Sequence, residues 1–165
     1  MSRLVVVLPL SPLREGDRFA VNEWPLHITV LPPFLTDATG SEVGAAIRSA
    51  ASAHPAFRVV AAQNELFGRR HDIPVTVMAD NEQLAALHQA LRVAVRPCAV
   101  APDEPAFTGV GFRAHVTMKS HGRVHEGEEF TLTQIAVVDM EPRSSPGRTV
   151  LATVALPAAE GMVGP

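Results

Sequence analysis

The sequence predicts a single α+β domain built mainly from antiparallel sheets. Predicted strands outnumber predicted helices, do not alternate strictly with them, and fall into two groups that each include one helix. The 165 residues are enough for one domain, and 47% hydrophobic with 19% charged residues is the composition of a globular chain rather than a disordered one. We expect the domain to span residues 1–157 and the tail at 158–165 to fray.

The first half of the chain is predicted to contain four strands and one helix. A β-branched apolar run at residues 4–8 indicates a buried strand, and the prolines at 32–33 are expected to end the second strand. Thr39, followed three residues later by Glu42, forms a capping-box pattern that begins the helix. The predicted strands cover residues 4–8, 24–31, 57–66 and 74–79, and the predicted helix covers residues 41–53.

The second half is predicted to contain the other helix and three strands. Asp80 is a suitable N-cap for this helix, and Pro97 should end it. Its apolar residues recur at the spacing of one helical face, at Leu84, Leu87, Leu91 and Val95. The other predictions are a Pro-rich loop at 98–108, strands at 111–119, 130–140 and 149–156, and a turn at 143–147.

Composition and charge narrow the possible functions. The single cysteine, Cys98, excludes an internal disulfide and a cysteine-rich zinc site. A net charge of −3 argues against long duplex nucleic acid, which needs a broad basic face, but a few local cations can still hold a small anion. The apolar run at residues 4–10 is too short for a membrane span and lacks a signal-peptide cleavage site. We therefore expect a cytoplasmic monomer without membrane contact.

A four-residue motif occurs twice, at residues 27–30 (HITV) and 115–118 (HVTM). Each copy has a histidine, an aliphatic residue, a threonine and an apolar residue within a predicted strand. A shuffled chain of this composition would contain such a motif only about 0.1 times, so the repetition indicates a shared role. Side chains alternate between the faces of a strand, so His27 shares a face with Thr29, and His115 shares a face with Thr117.

Cations extend the polar face of the second copy. Arg113, His115, Thr117 and Lys119 are spaced two residues apart and should point to one side of their strand. Threonine hydroxyls donate hydrogen bonds to phosphoryl oxygens, and arginine and lysine neutralise the charge of those oxygens. Two imidazoles with a pKa near 6.5 can act as base and acid in one turnover. These residue types predict cleavage of a phosphodiester without a metal ion or another cofactor.

On these two motifs the sequence resembles the two-histidine phosphoesterase superfamily, which includes the LigT-like 2′-5′ RNA ligases and the cyclic phosphodiesterases. The continuation of the first motif through Pro32, Pro33 and Phe34 is similar to that of the family, and the similar order of elements extends from residue 4 to about residue 156. The resemblance implies a bilobal, LigT-like fold in which two mainly antiparallel sheets with outer helices surround a central cleft. It also implies a small nucleotide or an RNA end as substrate, with a 2′,3′-cyclic or 2′-linked phosphodiester.

The resemblance further implies a role for each motif residue. His27 and His115 would be the acid–base pair, with His115 as the base toward water and His27 as the acid toward the leaving oxygen. Thr29 and Thr117 would hold the phosphate. The further candidates for substrate binding are Arg113, Lys119, and an aromatic residue over the base, either Phe34 or Phe67.

Other interpretations stay open at this point. The same fold could serve an RNA ligase or an enzyme that degrades a cyclic-nucleotide signal, and a third possibility is a non-catalytic module that binds RNA or phosphate. The presence of both histidines argues against such a module, because binding alone needs neither a base nor an acid. Outside the motifs, His121 and His125 could hold an adventitious metal, and residues 69–71 (RRH) could form a solvated loop or a lid over an anion. His88 is expected near the surface or at the edge of the core.

Overall fold

The computed structural model describes residues 1–100, 112–140 and 147–159, and within these residues the chain forms nine strands and two α-helices. The strands are β1 (Ser2–Pro9), β2 (Arg18–Ala20), β3 (His27–Thr36), β4 (Phe57–Phe67), β5 (Ile73–Met78), β6 (His115–Thr117), β7 (Glu129–Leu132), β8 (Gln134–Asp139) and β9 (Gly147–Ala155). The helices are α1 (Gly40–Ala51) and α2 (Glu82–Val95), and a short 3₁₀ helix covers Val21–Glu23. The sequence did not predict β2 or the 3₁₀ helix.

The described strands join into one sheet in the order β2-β9-β8-β1-β3-β6-β5-β4-β7. Every pairing between them is antiparallel, which is the arrangement predicted from the sequence. The sheet curls into a half-barrel. The expected division into two separate sheets is not confirmed, because the pairing of β3 with β6 connects a five-stranded half to a four-stranded half.

Both helices pack against the same face of this sheet and against each other. The apolar face of α2 is buried as predicted, since Leu84, Leu87, Leu91 and Val95 are all at most 3% exposed. A smaller apolar cluster lies on the opposite face, where the segment before β3 covers β1, β8 and β9; it includes Val5, Val7, Leu13, Trp24, Ala136, Val138 and Val150. The sheet is therefore covered by helices on one face and partly by a loop on the other.

The two helices begin with side-chain caps. Thr39 and Glu42 form the predicted capping box, in which each side chain accepts a hydrogen bond from the backbone N–H of the other residue. In α2 the N-cap is Asn81 and not Asp80. The Asn81 side chain accepts from the N–H of Leu84 and also donates to the carbonyl of Arg58 in β4. That second bond, which an aspartate cannot donate, ties the start of the helix to the sheet.

The expectation that Pro32 and Pro33 end the second strand is wrong, because β3 continues to Thr36. The register between β1 and β3 shifts at this point, so that Leu4 lies opposite Phe34 whereas Val6 lies opposite Leu31. An irregularity of this kind leaves residues outside the regular ladder and therefore accommodates prolines, which cannot donate a backbone hydrogen bond.

The strand predicted at residues 130–140 is two strands, β7 and β8, with Thr133 between them. β7 pairs with β4 at one edge of the sheet, whereas β8 pairs with β1 and β9 in the other half. The hydrophobic pattern of residues 130–140 is continuous, so it did not indicate that the chain changes from pairing with β4 to pairing with β1 and β9. Parts of the predicted loop at 98–108, turn at 143–147 and tail at 158–165 lie outside the described residues.

No helix in the described part of the chain is both long enough and apolar enough to cross a membrane.

Candidate active site

The pairing of β3 with β6 brings the two copies of the motif side by side. Ile28 and Val116 lie directly opposite each other in these antiparallel strands, and both enter the core beneath the helices. Continuing this register places each histidine opposite the threonine of the other copy, on the face turned away from the helices. Two motifs that are 88 positions apart, at residues 27 and 115, therefore form one polar site.

The site is a square of four residues, His27, Thr29, His115 and Thr117, called here the His–Thr cluster. Cβ atoms of directly opposite residues in paired strands are about 5 Å apart, and those of diagonal residues are about 7 Å apart. The histidines occupy one diagonal and the threonines occupy the other. A phosphate over the centre would have an imidazole on two opposite sides, which suits a displacement in which the attacking and leaving oxygens lie in line.

Apolar side chains border the His–Thr cluster on both sides. Val7 and Pro9 of β1 lie opposite the motif residues of β3, and Val75 and Val77 of β5 lie opposite those of β6. Within the paired positions of β1, β3, β6 and β5, the polar side chains at this point are therefore those of the four central residues.

The two histidines are held by the same kind of hydrogen bond. Nδ1 of His27 donates to the carbonyl oxygen of Pro25 at 2.7 Å, and Nδ1 of His115 donates to the carbonyl oxygen of Arg113 at 2.8 Å. A carbonyl oxygen can only accept, so the Nδ1 of each ring carries the proton. Nε2 is consequently the nitrogen that can take up or give off a proton at both positions.

An aromatic side chain lies against each imidazole. The ring of His27 stacks on Trp24 with 3.9 Å between centroids, whereas the ring of His115 meets Phe67 edge-on at 4.6 Å. Trp24 is buried, with 7% of its surface exposed. The hydrogen bond and the aromatic contact together fix the orientation of each imidazole, which a proton-transfer group requires.

The surroundings of His27 are positively charged. Nζ of Lys119 lies 5.9 Å and Cζ of Arg148 lies 5.3 Å from the centroid of the Trp24 ring on which His27 stacks. The pKa of His27 is lowered to about 4, mainly by burial and also by the charges of Lys119, His115 and Arg148, against the opposing effect of its bond to the Pro25 carbonyl. Burial also lowers the pKa of Lys119, as does the charge of Arg148. His27 is therefore neutral over the physiological pH range.

The surroundings of His115 are electrically balanced. The guanidinium of Arg113 donates two hydrogen bonds to the Glu65 carboxylate, at 3.0 and 2.6 Å, which lowers the pKa of Glu65. Cζ of Arg113 also lies 5.2 Å from the centroid of the Phe67 ring. Burial lowers the pKa of His115, while its bond to the Arg113 carbonyl raises it and the Arg113 charge lowers it. The cation on this side thus has a carboxylate partner.

The threonine hydroxyls of the His–Thr cluster are available to a ligand. Within the described residues, neither Thr29 nor Thr117 uses its side chain in a hydrogen bond to the protein, and both are half-buried.

Within the described residues, no three His, Cys, Asp or Glu side chains are grouped so that they could hold a metal ion. Nε2 of His121, one of the two histidines considered for a metal, lies 3.1 Å from the Trp24 carbonyl oxygen.

The structure brings most of the predicted substrate-binding residues to the site, but not Phe34. Lys119 lies beside Trp24, Phe67 touches His115, and Arg113 lies at the rim in its pair with Glu65. Phe34 is 8% exposed and packs in the core beneath the helices, on the face opposite the His–Thr cluster. It is therefore a core residue and does not face the substrate.

Sequence reasoning missed two residues of the site, and outside the site it did not predict how deeply His88 is buried. Trp24 and Arg148 are not among the site residues predicted from the sequence. His88 is 2% exposed rather than near the surface, with Nδ1 2.7 Å from the Val30 carbonyl oxygen of β3. A tryptophan three positions before the motif histidine was a usable signal, whereas nothing in the local sequence marks Arg148.

Comparisons with known proteins identify the family of the chain. The family profile described as the 2′-5′ RNA ligase superfamily matches residues 6–141. No curated protein matches the chain by sequence.

Solved structures show the same fold at low sequence identity. A crystal structure described as a phosphoesterase has a TM-score of 0.58 at 16% identity, and LigT of E. coli, solved with 3′-AMP, has 0.55 at 18% identity. The protein TT0787 of Thermus thermophilus has a TM-score of 0.57 at 18% identity. In each case the similarity covers 94% of this chain and 98% of the other. The LigT-like fold is thus shared over almost the whole length of both chains.

Proposed function

The chain belongs to the 2′-5′ RNA ligase superfamily, and from this premise we propose that it is a phosphodiesterase that opens 2′,3′-cyclic or 2′-linked phosphodiesters of nucleotides or RNA ends without a metal ion. The observation that carries the proposal is the His–Thr cluster. Two imidazoles face one small area from opposite corners, and each is restricted to Nε2 for proton transfer. A site for phosphate binding alone would need neither feature.

The proposed reaction uses one imidazole on each side of the phosphorus. One Nε2 removes a proton from water as its oxygen bonds to phosphorus, and the other Nε2 donates a proton to the ester oxygen as its bond to phosphorus breaks. A 2′,3′-cyclic phosphate would become a ribose monophosphate with one free hydroxyl. At the end of the turnover each histidine has exchanged its proton state, and proton exchange with solvent restores the pair.

The threonines would hold the phosphate during this exchange. Each hydroxyl can donate one hydrogen bond to a non-bridging oxygen, and bonds to a charged oxygen are the stronger kind. Because Thr29 and Thr117 lie on the second diagonal of the His–Thr cluster, they would hold the two non-bridging oxygens without blocking the path between the histidines.

A small nucleotide is the proposed ligand class. LigT of E. coli has been solved with 3′-AMP and with ATP, and its fold is the fold of this chain. Phe67, beside His115 and half-buried, is the proposed platform for a base. The name of the family supports a second candidate, the joining of RNA ends. In that reaction a 5′-hydroxyl would attack the 2′,3′-cyclic phosphate in place of water, and the bond to the 3′-oxygen would break, which leaves a 2′-5′ bond and a free 3′-hydroxyl.

A substrate panel assayed in the presence of a chelator tests the proposal. We expect turnover of at least one member among 2′,3′-cyclic nucleotides, short RNAs with cyclic ends, 2′-5′ dinucleotides and cyclic dinucleotides. Joined RNA products would identify a ligase, and turnover of cyclic dinucleotides alone would identify an enzyme of signal degradation. Activity that disappears with the chelator and returns with zinc or manganese would contradict the metal-independent mechanism.

A further inference from the structure

The two cations beside Trp24 come from distant parts of the sheet. Lys119 follows β6, whereas Arg148 lies in β9, which β8 and β1 separate from β3. The fold nevertheless places both near one indole, with Nζ at 5.9 Å and Cζ at 5.3 Å from its centroid. The same indole stacks on His27. Two cations therefore converge at the edge of the His–Thr cluster.

Lys119 carries its charge in this position without a carboxylate partner. It is half-buried and forms no ion pair with any described residue. The charge of Arg148 acts against it and lowers the pKa of its ammonium group, in addition to the effect of burial. A partly desolvated cation beside a second cation is unfavourable, and a bound anion would relieve the repulsion. Arg113, on the other side of the site, already has Glu65 as its partner.

The indole itself offers a hydrogen-bond donor. Trp24 is 7% exposed, and its Nε1–H has no hydrogen-bond partner among the described residues. Buried polar groups in native structures are nearly always satisfied, so the unsatisfied N–H of an indole whose ring lies near two cations indicates a missing acceptor. An acceptor that also carries negative charge satisfies both the N–H and the unpaired ammonium of Lys119.

We propose that Lys119, Arg148 and Trp24 bind a second phosphate of the substrate, next to the phosphate that is cleaved. The inference rests on the proposed function and deepens it, because it specifies a substrate with another phosphate near the scissile one. That phosphate is either the 5′-phosphate of the same nucleotide or the phosphodiester that joins it to the preceding nucleotide. Both have the same charged oxygens, so the site recognises the same chemistry in either case.

Kinetics on three matched substrates test the inference. The substrates are adenosine 2′,3′-cyclic phosphate, its 5′-phosphorylated form, and the dinucleotide ApA with a 2′,3′-cyclic end. We expect kcat/KM to be about 10- to 100-fold higher for at least one of the two that carry a second phosphate, since a charged hydrogen bond contributes roughly that factor. The substrate that benefits identifies the source of the second phosphate.

Variants that remove one charge test whether Lys119 and Arg148 cause the preference for a substrate with a second phosphate. Arg148→Gln and Lys119→Gln should each reduce the ratio of kcat/KM values between the preferred and the plain cyclic substrate by about tenfold or more. Arg58→Gln is the matched control, because Arg58 is an exposed arginine in β4 whose ion pair with Glu129 is distant from the site. Equal losses on all substrates would overturn the inference, because they would mean that both cations act on the scissile phosphate.

Fluorescence gives a readout that does not depend on turnover. Trp24 is the only tryptophan and the chain has no tyrosine, so the intrinsic emission comes from the proposed site. Titration with inorganic pyrophosphate should change this emission, and the dissociation constant should rise about tenfold in both variants but stay within about twofold in Arg58→Gln.

These two measurements separate the inference from the function on which it rests. If no member of the substrate series is cleaved, the proposed function fails, and the titration alone decides the anion site. If the substrates are cleaved without any preference, or pyrophosphate binds to the variants as it does to the wild type, the anion site is wrong and the function stands. Arg148 also donates hydrogen bonds to the carbonyl oxygens of Met140 and Gly147, so Lys119→Gln keeps the test valid if Arg148→Gln does not fold.

Discussion

The β3 side and the β6 side of the His–Thr cluster carry the same motif in different electrostatic surroundings. Both histidines use Nδ1 to bond a carbonyl two residues earlier in the chain, and both lie against an aromatic ring. On the β3 side that ring is a buried tryptophan near two cations, Lys119 and Arg148. On the β6 side it is a phenylalanine near one cation, Arg113, which pairs with Glu65. The two histidines therefore have the same backbone hydrogen bonds but different charged side chains around them.

This difference bears on the division of labour between the histidines. The pKa of His27 is lowered to about 4, a larger shift than that of His115, so His27 is the more readily neutral of the two. A bound phosphate anion would raise the pKa of both. We therefore expect His27 to act as the base and His115 as the acid, which is the reverse of the roles that the family resemblance implies.

Removing either imidazole tests whether catalysis needs both histidines, and among these predictions it should reduce kcat/KM the most. We expect His27→Ala and His115→Ala each to lower kcat/KM by about 10²–10⁴-fold, the contribution of one acid–base group. The double variant should be little worse than the poorer single variant, because the two act as a unit. Steady-state assays on the best substrate of the panel measure this.

His125→Ala is the matched control, because His125 is exposed and outside the site. Circular dichroism should show that all variants stay folded. Folded single variants with wild-type turnover would refute the two-histidine mechanism, and unfolded ones would mean that the histidines are structural.

A substrate with an activated leaving group should show which of the two histidines is the acid and which is the base. A nucleoside 4-nitrophenyl phosphodiester releases a stable anion and needs no acid, so the variant that lacks the acid should recover most of its loss of about 10²-fold or more. We expect this recovery in His115→Ala and not in His27→Ala. Recovery in His27→Ala alone would restore the roles implied by the resemblance.

The pH dependence should show the smallest effect, a displacement of the profile toward acid. If His27 is the base, kcat/KM should fall as the pH decreases through about 4, because His27 becomes protonated. It should fall again as the pH rises through the lowered pKa of His115, below the ordinary value of about 6.5, because the acid loses its proton.

The two apparent pKa values belong to the pair, since the imidazoles interact. Initial rates at low substrate concentration between about pH 3.5 and 8 would give this profile. A profile with both limbs close to neutral pH would contradict the burial argument for His27.

The features that follow from local rules were predictable from the sequence. Strand alternation placed the histidine and threonine of each motif on one face, and the capping box at Thr39 began a helix where expected. The apolar spacing of α2 likewise identified its buried face. Each of these properties depends on residues within a turn or two of one another.

The features that depend on partners distant in the sequence were not predictable in this way. Whether β3 ends at Pro32 depends on the register of β1, and whether residues 130–140 form one strand or two depends on which strands lie beside them. Arg148 reaches the site through the curl of a sheet whose strand order the sequence did not give. The sequence therefore did not predict that the side of the site near His27 carries more positive charge than the side near His115.

The pairing that builds the His–Thr cluster is also the narrowest connection in the sheet. β3 and β6 share a single paired position, Ile28 with Val116, whereas the ladders on either side contain between three and seven. A hinge motion between the two halves would break fewer ladder hydrogen bonds at this position than at the flanking pairings, while the shared core and the contact between the two helices oppose it. Because one histidine belongs to each half, such a hinge would widen or narrow the gap between them, and a bound phosphate that bridges the gap would hold the halves at one angle. We therefore expect a substitution that loosens the pairing of β3 with β6 to reduce turnover before it unfolds the chain.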